Sequence, residues 1–344
     1  MSLYLPAEWH PQSAVQLTWP HQTTDWAPIL EDILQVYLHL SKHITERQLL
    51  LVSFHNDEVK QDAEQRLSDF GVDLTRVRSF VAPSNDTWAR DHGPITLIDN
   101  NGDAKVLDFN FNAWGSKYES NFDDQITMQL IQQPFVEFSA YQNIDMVLEG
   151  GSIESDGHGT LLTTEKCLLN ENRNPDMSKD EIEAALKQVF DAKRVLWLQH
   201  GFLAGDDTDA HIDTLARLAP QGIVYVSCTD PSDPHYDELN AMEAELERFT
   251  DNNGQSYTLF PLPWPKPIFD DDGSPLPATY ANYLIINDAV LVPTYNDEND
   301  ATALELIGRA HPNRDIIGVD CTAVIKQFGS LHCLTMQLPK GLII

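Results

Sequence analysis

The spacing of apolar residues predicts a chain in which amphipathic helices alternate with short buried strands. In residues 29–40, apolar side chains recur every three or four positions, which places them on one face of a helix. Residues 57–70 predict a polar helix that ends at Gly71. Ser178 and Glu181 have the spacing of a capping box at the start of a third helix. Two further helices are predicted at residues 235–249 and 301–310.

Apolar runs rich in β-branched residues predict the strands. They lie at residues 48–54, 104–111, 223–228, 283–295 and 314–321. A proline-rich stretch at residues 261–277 carries Trp264 and Phe269, and we interpret it as a long ordered loop near a functional site. The alternation of helices and strands favours the α/β class.

Polar motifs interrupt this pattern at a rough period. Asp91, Glu149 and His211 follow one another at intervals of about 60 residues, and Cys333 lies about twice that distance further on. The position that the period skips falls near residues 280–286, and an earlier one falls near the N-terminus. Five units of about 65 residues would fill the chain, which suggests a repeat architecture with equivalent sites.

The composition is strongly acidic. The 344 residues include 53 acidic and 22 basic ones, a formal net charge of −31. This charge disfavours nucleic acids and anionic membranes as partners and favours a small cation. We expect no secretory leader and no membrane span, since no stretch approaches roughly 20 apolar residues. Because Cys167, Cys228, Cys321 and Cys333 form no CxxC pair, we expect reduced thiols and a cytoplasmic protein.

Two acidic motifs are candidates for ligand binding. In WARDHGP, Asp91 either points into a pocket with Trp88 as an aromatic wall or forms a solvated ion pair at a strand end. In VLEGGSIESDG, Glu149 precedes two glycines, whose bare backbone permits close approach of a ligand. An exposed glutamate in a hairpin is the alternative for the second motif.

In the motif GDDTDAHIDTLARL, a histidine and an aspartate are two residues apart. In an extended strand, His211 and Asp213 lie on one face because side chains alternate. The pair fits acid–base chemistry. With Asp91 and His92 it could also form a hydrolytic metal centre, although no HExxH-like spacing supports a metal. Ordinary polar decoration is a third interpretation.

Cys333 lies in GSLHCLTMQLP, which we interpret as a short apolar strand that leaves a tight turn. A single cysteine with histidine and acidic residues distant in sequence is the pattern of a candidate nucleophile. The alternative is a buried cysteine that acts as a small hydrophobic residue.

Together these motifs resemble the agmatine deiminase family, within the guanidino-group-modifying superfamily of pentein fold. The resemblance runs along nearly the whole chain, through PAEWHPQSAVQLTWPHQTTDW, WARDHGP, LEGGSIESDGHGTLLTTEKCLLNENRNPDMS, GDDTDAHIDT and the terminal HCLT. It departs where His92 replaces a threonine, where FGSLHC replaces a Gly-Gly-Asn-x-His-Cys turn, and where SAV replaces a His-Glu pair. We expect these departures to affect the pocket rim and substrate identity more than reaction type.

The resemblance implies a single catalytic domain, residues 1–344, built as a five-bladed α/β propeller around a central pocket. It implies hydrolysis of agmatine to N-carbamoylputrescine and ammonia, a step towards putrescine and the polyamines. It also implies a possible homodimer and an enzyme that requires no metal and no organic cofactor.

Catalytic roles follow from the same resemblance. Cys333 attacks the central guanidinium carbon as a thiolate. His211 protonates the departing ammonia and then activates water, and Glu149 orients His211.

Substrate-binding roles are implied as well. Asp91 and Asp213 clamp the planar guanidinium through charge-assisted hydrogen bonds. Trp88 lines the pocket, and Asp207 helps to receive the distal amine of the substrate.

Three alternatives stay open. One is a deiminase of peptidyl-arginine or of another guanidino compound, with the same mechanism. Another is a non-catalytic binding protein for guanidino compounds or polyamines. The last is a metal-dependent hydrolase that uses His211, Asp213 and Asp91.

Overall fold

The computed structural model describes residues 3–344, so Met1 and Ser2 of the expected domain lie outside the described residues. The strands are β1 (Gln12–Thr18), β2 (Leu49–Phe54), β3 (Val77–Val81), β4 (Ile95–Ile98), β5 (Ala104–Asn110), β6 (Ala140–Val147), β7 (Glu154–Ser155), β8 (Thr160–Thr164), β9 (Arg194–Leu198), β10 (Ala216–Ala219), β11 (Gly222–Val226), β12 (Leu259–Leu262), β13 (Ile268–Phe269), β14 (Pro275–Leu276), β15 (Leu284–Ile286), β16 (Ala289–Thr294), β17 (Asp315–Asp320) and β18 (Thr335–Pro339).

The helices are α1 (Leu30–Thr45), α2 (Asp57–Asp69), α3 (Ala89–His92), α4 (Ala113–Ser116), α5 (Ile126–Leu130), α6 (Glu165–Leu168), α7 (Lys179–Phe190), α8 (Tyr236–Leu246) and α9 (Asp300–Ala310). Two of the 3-10 helices, Gly150–Ser152 and Ile212–Thr214, adjoin site residues predicted from sequence. In the part of the chain that is described, no helix combines the length and the apolar character needed to cross a bilayer.

The chain divides into two compact units. Unit 1 contains His10–Gly150 and His332–Ile344, and unit 2 contains Tyr4–Trp9 and Gly151–Leu331. The organisation as one catalytic domain therefore stays a prediction.

Unit 1 contains two sheets. In the first, of order β18-β1-β2-β3, β1 runs antiparallel to β18 and parallel to β2. In the second, β5 runs antiparallel to β4 and parallel to β6. Both sheets contribute to one apolar core, in which Leu51 and Phe80 of the first sheet meet Val106 of the second. Burial of this apolar surface supplies the main stabilising free energy of the unit.

Unit 2 contains three three-stranded sheets of the same local design, β7-β8-β9, β10-β11-β12 and β15-β16-β17. In each, an antiparallel pair is followed by a strand parallel to the second one, after a connection that contains a helix. With the two sheets of unit 1, this pattern occurs in five sheets of the described residues, which agrees with the predicted repeat. The sheets are mixed, and the α/β class is confirmed.

Most of the predicted elements are confirmed. The helix expected at residues 29–40 is α1, whose acidic first turn and basic last turn suit the helix dipole. Ser178 and Glu181 form both hydrogen bonds of the capping box at the start of α7. The proline-rich stretch contains the small hairpin of β13 and β14.

Two local predictions are wrong. His211 and Asp213 do not lie in an extended strand, because Ile212–Thr214 is a 3-10 helix and β10 begins only afterwards. Cys333 lies in the turn before β18 and not within that strand.

Candidate active site

In unit 1 the WARDHGP motif forms a buried helical turn, α3. Arg90 and Asp91 are only 3% and 4% exposed, so the solvated ion pair at a strand end is wrong. The Arg90 guanidinium donates to the carbonyl oxygen of His332 at 3.4 Å and to Oε1 of Gln337 at 2.5 Å. The backbone N–H of Arg90 donates to the carbonyl oxygen of Cys333 at 3.1 Å. Arg90 therefore holds α3 against the turn that carries the predicted nucleophile.

One indole of an aromatic cluster contacts the Asp91 carboxylate. Trp114 Nε1 donates to Asp91 Oδ2 at 3.0 Å. The ring of Trp88 lies 6.3 Å from that of Trp114 and 5.6 Å from that of Trp26, measured between centroids. Trp114 has a φ of 55°, a left-handed conformation that is costly for a tryptophan and that commonly occurs where function requires it. Asp91 is thus a buried carboxylate beside an aromatic cluster.

The residue that departs from the family motif, His92, lies inside unit 1. It is 5% exposed, and its Nε2 lies 3.2 Å from the Thr18 hydroxyl. Burial lowers the pKa of His92 to about 3, so its imidazole is neutral at ordinary pH. The expectation that His92 lies at a pocket rim is therefore not supported by its burial.

Glu149 lies two residues beyond the end of β6 and directly precedes the 3-10 helix that begins at Gly150. Its side chain is fully buried, so an exposed glutamate in a hairpin is wrong. A Cβ at Gly150 would lie 2.3 Å from the carbonyl oxygen of Arg90 and 2.7 Å from Cε of Met336. Glycine is therefore required here, because the backbone after Glu149 packs directly against α3 and β18.

Cys333 is 5% exposed and occupies the turn that leads into β18. The N–H and the hydroxyl of Thr335 both donate to the carbonyl oxygen of His332 at 3.0 Å. These bonds define the turn, and the Arg90 N–H bond to the Cys333 carbonyl oxygen holds it in place. In unit 1, the segments of Asp91, Glu149 and Cys333 thus meet at one place.

Burial disfavours the thiolate form of two other cysteines, Cys321 and Cys228. Among the described residues, no two cysteines are joined by a disulfide bond. Burial raises the pKa of the Cys321 thiol far above its ordinary range, and burial also raises that of Cys228. A thiol with a raised pKa is a poor source of thiolate at neutral pH, so these two cysteines are unsuited to nucleophilic attack.

In unit 2, His211 and Asp213 are both fully buried. His211 is the residue before the Ile212–Thr214 3-10 helix, and its carbonyl oxygen accepts from the Thr214 hydroxyl at 2.8 Å. The His211 N–H donates to the Thr208 hydroxyl at 3.2 Å. A tight helical turn, rather than strand alternation, therefore sets the directions of the two predicted side chains.

The loop before His211 is held by an arginine that the sequence analysis did not identify. Arg173 donates to Oδ2 of Asp209 at 2.8 Å and to the carbonyl oxygen of Thr208 at 2.8 Å. Asp209 and Ala210 have φ values of 66° and 67°, so the loop has two successive left-handed residues. Asp207 is half-buried in the same loop. Trp114 and Arg173 were both missed, because no local pattern shows which distant segment such a side chain contacts.

Within either unit taken alone, the described residues contain no three His, Cys, Asp or Glu side chains whose ligand atoms lie close enough to share one metal ion. The independence from metal and cofactor stays a prediction.

Comparison with known proteins shows extensive similarity. The family described as Porphyromonas-type peptidyl-arginine deiminase matches residues 4–339. An agmatine deiminase of Stutzerimonas stutzeri is 33% identical over 364 residues, which cover 99% of this chain and 96% of that protein.

Solved structures resemble the chain equally widely. A C. jejuni agmatine deiminase with a cysteine-to-serine substitution and substrate bound is 40% identical, with a TM-score of 0.90 over 99% of this chain and 97% of that one. The amidinotransferase SxtG of Microseira wollei is 12% identical, with a TM-score of 0.52 over 99% and 98% of the two chains, and shares the fold alone. The fold is therefore that of the pentein proteins.

Proposed function

We propose that this chain, which belongs to the Porphyromonas-type peptidyl-arginine deiminase family, is an agmatine deiminase. The proposed reaction hydrolyses agmatine to N-carbamoylputrescine and ammonia. Full-length similarity to agmatine deiminases at 33% and 40% identity supports this reaction. The main structural support for this reaction is the contact between α3 and the turn that contains Cys333. Helix α3 carries Asp91, a buried carboxylate bonded to the Trp114 indole, and the turn carries the predicted nucleophile.

Substrate recognition follows from the chemistry of a guanidinium. The group stays protonated at ordinary pH because its pKa lies far above neutrality. It is planar and offers paired N–H donors, so Asp91 and Asp213 hold it by charge-assisted hydrogen bonds. Trp88 covers the apolar part of the substrate, and Asp207 receives its distal amine. The buried state of Asp91 and Asp213 strengthens such bonds, because the local dielectric constant is low.

Catalysis proceeds in two steps. The Cys333 thiolate forms a bond to the guanidinium carbon, and the C–N bond to one amino group breaks as His211 gives that nitrogen a proton, releasing ammonia. His211 then takes a proton from water, whose oxygen attacks the thiouronium carbon. The C–S bond breaks and returns the thiolate, and the ureido product leaves. Glu149 orients and charge-stabilises His211.

Three broader features belong to this proposal. We propose that the five sheets form a five-bladed propeller within one catalytic domain. We also propose that the protein forms a homodimer and works in the cytoplasm, since reduced cysteines suit a reducing compartment. The reaction requires neither a metal nor an organic cofactor.

Ammonia release from agmatine, free arginine and an arginine-containing peptide tests the reaction and the substrate together. We expect release from agmatine only, loss of release after iodoacetamide treatment, and no effect of EDTA. Release only from the peptide would assign the same mechanism to a peptidyl-arginine deiminase. Loss of activity with EDTA would favour the metal-dependent hydrolase.

Substitution of single cysteines tests the nucleophile. Cys333→Ala should bind agmatine in calorimetry yet lose at least about 10⁴-fold in kcat, because no other group supplies the covalent step. Cys321→Ala is the matched control and should retain turnover within about threefold. Turnover by Cys333→Ala near the wild-type rate would contradict the mechanism. Agmatine binding without turnover by the wild type would favour the binding protein.

A further inference from the structure

Strand β10 in unit 2 carries a fully buried arginine that the proposed reaction does not use. Arg217 is 0% exposed and donates through Nε to Glu154 and through Nη2 to Glu8. The guanidinium carbon lies 4.7 Å from the ring centroid of Tyr283. Arg217 is therefore a fixed guanidinium between two buried carboxylates.

The charges around this guanidinium extend to Asp213. Burial opposes the charged form, but the carboxylates of Glu154 and Glu8, together with Tyr283 and Asp213, raise the pKa of Arg217 above its ordinary value. Because the electrostatic interaction is mutual, the positive charge of Arg217 also attracts the Asp213 carboxylate.

The remaining donors of Arg217 hold a short turn of the backbone. Nη1 donates to the carbonyl oxygens of Ala281 at 3.2 Å and of Tyr283 at 2.7 Å. We call residues 279–283, which read TYANY, the YANY turn. It is the place where the sequence period predicts a further polar position, to which the reaction assigns no role.

The YANY turn holds the 3-10 helix that carries Asp213. The hydroxyl of Thr279 donates to the carbonyl oxygen of Thr214 at 3.0 Å. Nδ2 of Asn282 donates to the carbonyl oxygen of Asp213 at 3.4 Å. Thr279 and Asn282 are 1% and 0% exposed, so water does not compete for these bonds. The backbone position of Asp213 thus depends on the YANY turn, and the turn depends on Arg217.

We propose that Arg217 is a positioning residue for Asp213, acting through the YANY turn and through its own positive charge. The inference rests on the proposed function, in which Asp213 holds the substrate guanidinium. Lysine cannot substitute for Arg217, because an ammonium lacks the planar fork that reaches two carboxylates and two carbonyl oxygens together. A displacement of about 1 Å at a positioning group commonly costs up to about 100-fold in rate.

The same network also stabilises unit 2. Glu8 accepts from the N–H of Ile285 at 3.1 Å, and Glu154 accepts from the N–H of Leu218 at 3.2 Å. Removing a partner from a buried ion pair is strongly destabilising. Thr279→Val, which keeps shape and removes one hydroxyl, therefore accompanies the arginine variants in the test.

The experiment measures kcat and KM for agmatine against pH in Arg217→Lys, Arg217→Met and Thr279→Val, normalised to folded protein by circular dichroism. We expect kcat/KM to fall about 10- to 100-fold in Arg217→Lys and Thr279→Val. We expect the acid limb of kcat/KM to move to higher pH in Arg217→Met but not in Arg217→Lys, because only the methionine variant removes the charge.

Two control variants report on stability alone. Arg314→Lys alters an arginine that also bonds backbone carbonyl oxygens in unit 2, those of Ile286 and Trp9. Thr45→Val removes a buried hydroxyl bonded to the Ser41 carbonyl oxygen. Both should keep kcat/KM within about twofold. Wild-type kcat/KM in folded Thr279→Val and Arg217→Lys would overturn the proposal, and Thr279→Val decides alone if the arginine variants do not fold. Absence of turnover by the wild type would instead overturn the proposed function.

Discussion

In unit 1, a buried aspartic acid and two buried histidines make the free energy of unfolding depend on pH in opposite directions. Burial raises the pKa of Asp123 to about 8, although the N–H of Asn85 donates to it and opposes the rise. Burial lowers the pKa of His92 to about 3 and that of His21 to about 4, where His55 adds to the effect. Asp123 is neutral in the folded protein at a pH where it is ionised in the unfolded chain. The histidines are neutral in the folded protein at a pH where they are charged in the unfolded chain.

The opposite directions of these pKa shifts define the pH range in which Asp123 controls stability. The contribution of Asp123 is complete below its ordinary pKa of 3.8 and is lost as pH rises towards 8. The histidines cost stability only below their ordinary pKa of 6.5. At pH 6.5 the histidines are about half protonated in the unfolded chain, and they become neutral in both states as pH rises further, so buried carboxyl groups such as Asp123 increasingly set the slope towards pH 8.

We predict that the free energy of unfolding decreases by about 1 kcal/mol or more from pH 6.5 to 8. Asp123→Asn should show a smaller decrease, because the amide cannot ionise while its oxygen still accepts from Asn85. Urea unfolding at several pH values measures both slopes. Asp99→Asn is the control, because Asp99 also accepts two backbone N–H bonds, from Asn101 and Asp103. Equal slopes in the wild type and Asp123→Asn would contradict the prediction.

Close packing of short elements builds the part of the site in unit 1. The one-turn helix α3, the turn before β18 and the start of the 3-10 helix at Gly150 approach one another at backbone distance. Elements this short are unstable in isolation, because the conformational entropy lost in forming the first helical turn exceeds the stabilisation from its single hydrogen bond. Their geometry is therefore set by tertiary contacts, chiefly those of Arg90.

Gly150→Ala should disturb this arrangement. The added Cβ would lie 2.3 Å from the backbone oxygen of Arg90, which cannot move without displacing α3. We predict a loss of about 2 kcal/mol or more in unfolding free energy, with reduced turnover. Thermal and urea unfolding measure the first effect, and ammonia release measures the second.

The matched control is Gly308→Ala within α9. Its Cβ would meet only the side chain of Ile316, with Cγ1 at 3.2 Å and Cδ1 at 4.0 Å, and that side chain can shift. Alanine also favours a helix interior by up to about 1 kcal/mol over glycine. Gly308→Ala should therefore change stability little. Equal stability of the two variants would show that the space around Gly150 adapts.

At the scale of the whole molecule, charge acts on every element together. The chain has a net charge of −31, so its excess carboxylates repel one another and destabilise the compact folded state. Salt screens this repulsion, since the Debye length is only about 10 Å at 0.1 M.

We therefore predict that the melting temperature rises by roughly 1–2 °C between 20 and 500 mM NaCl, as expected for a gain on the order of 1 kcal/mol in a chain of this length. Differential scanning calorimetry provides the measurement. Tetramethylammonium chloride should give the same rise if screening is the cause and sodium binding is not. An unchanged or lower melting temperature in both salts would show that repulsion is not a main destabilising force.

The sequence by itself determined many of the elements and the family. Periodicity located α1 and α2, and apolar runs located the strands β2, β5, β11, β15, β16 and β17, because side-chain spacing reports directly which face of an element is buried. Capping at Ser178 was also readable, since it involves residues three positions apart. The motifs around Asp91, Glu149, His211 and Cys333 led to the family through their types and order.

Only the tertiary structure decided the geometry at those motifs. Cys333 lies in a turn rather than a strand, and its position depends on Arg90, more than 200 residues earlier in the chain. The directions of His211 and Asp213 depend on a 3-10 helix that is held by distant side chains. Such contacts leave no local period in the sequence, because chain folding alone brings their partners together. The sequence also gives no sign that Arg217 is buried. Its buried charge is neutralised by Glu8 and Glu154, which lie far away in the sequence.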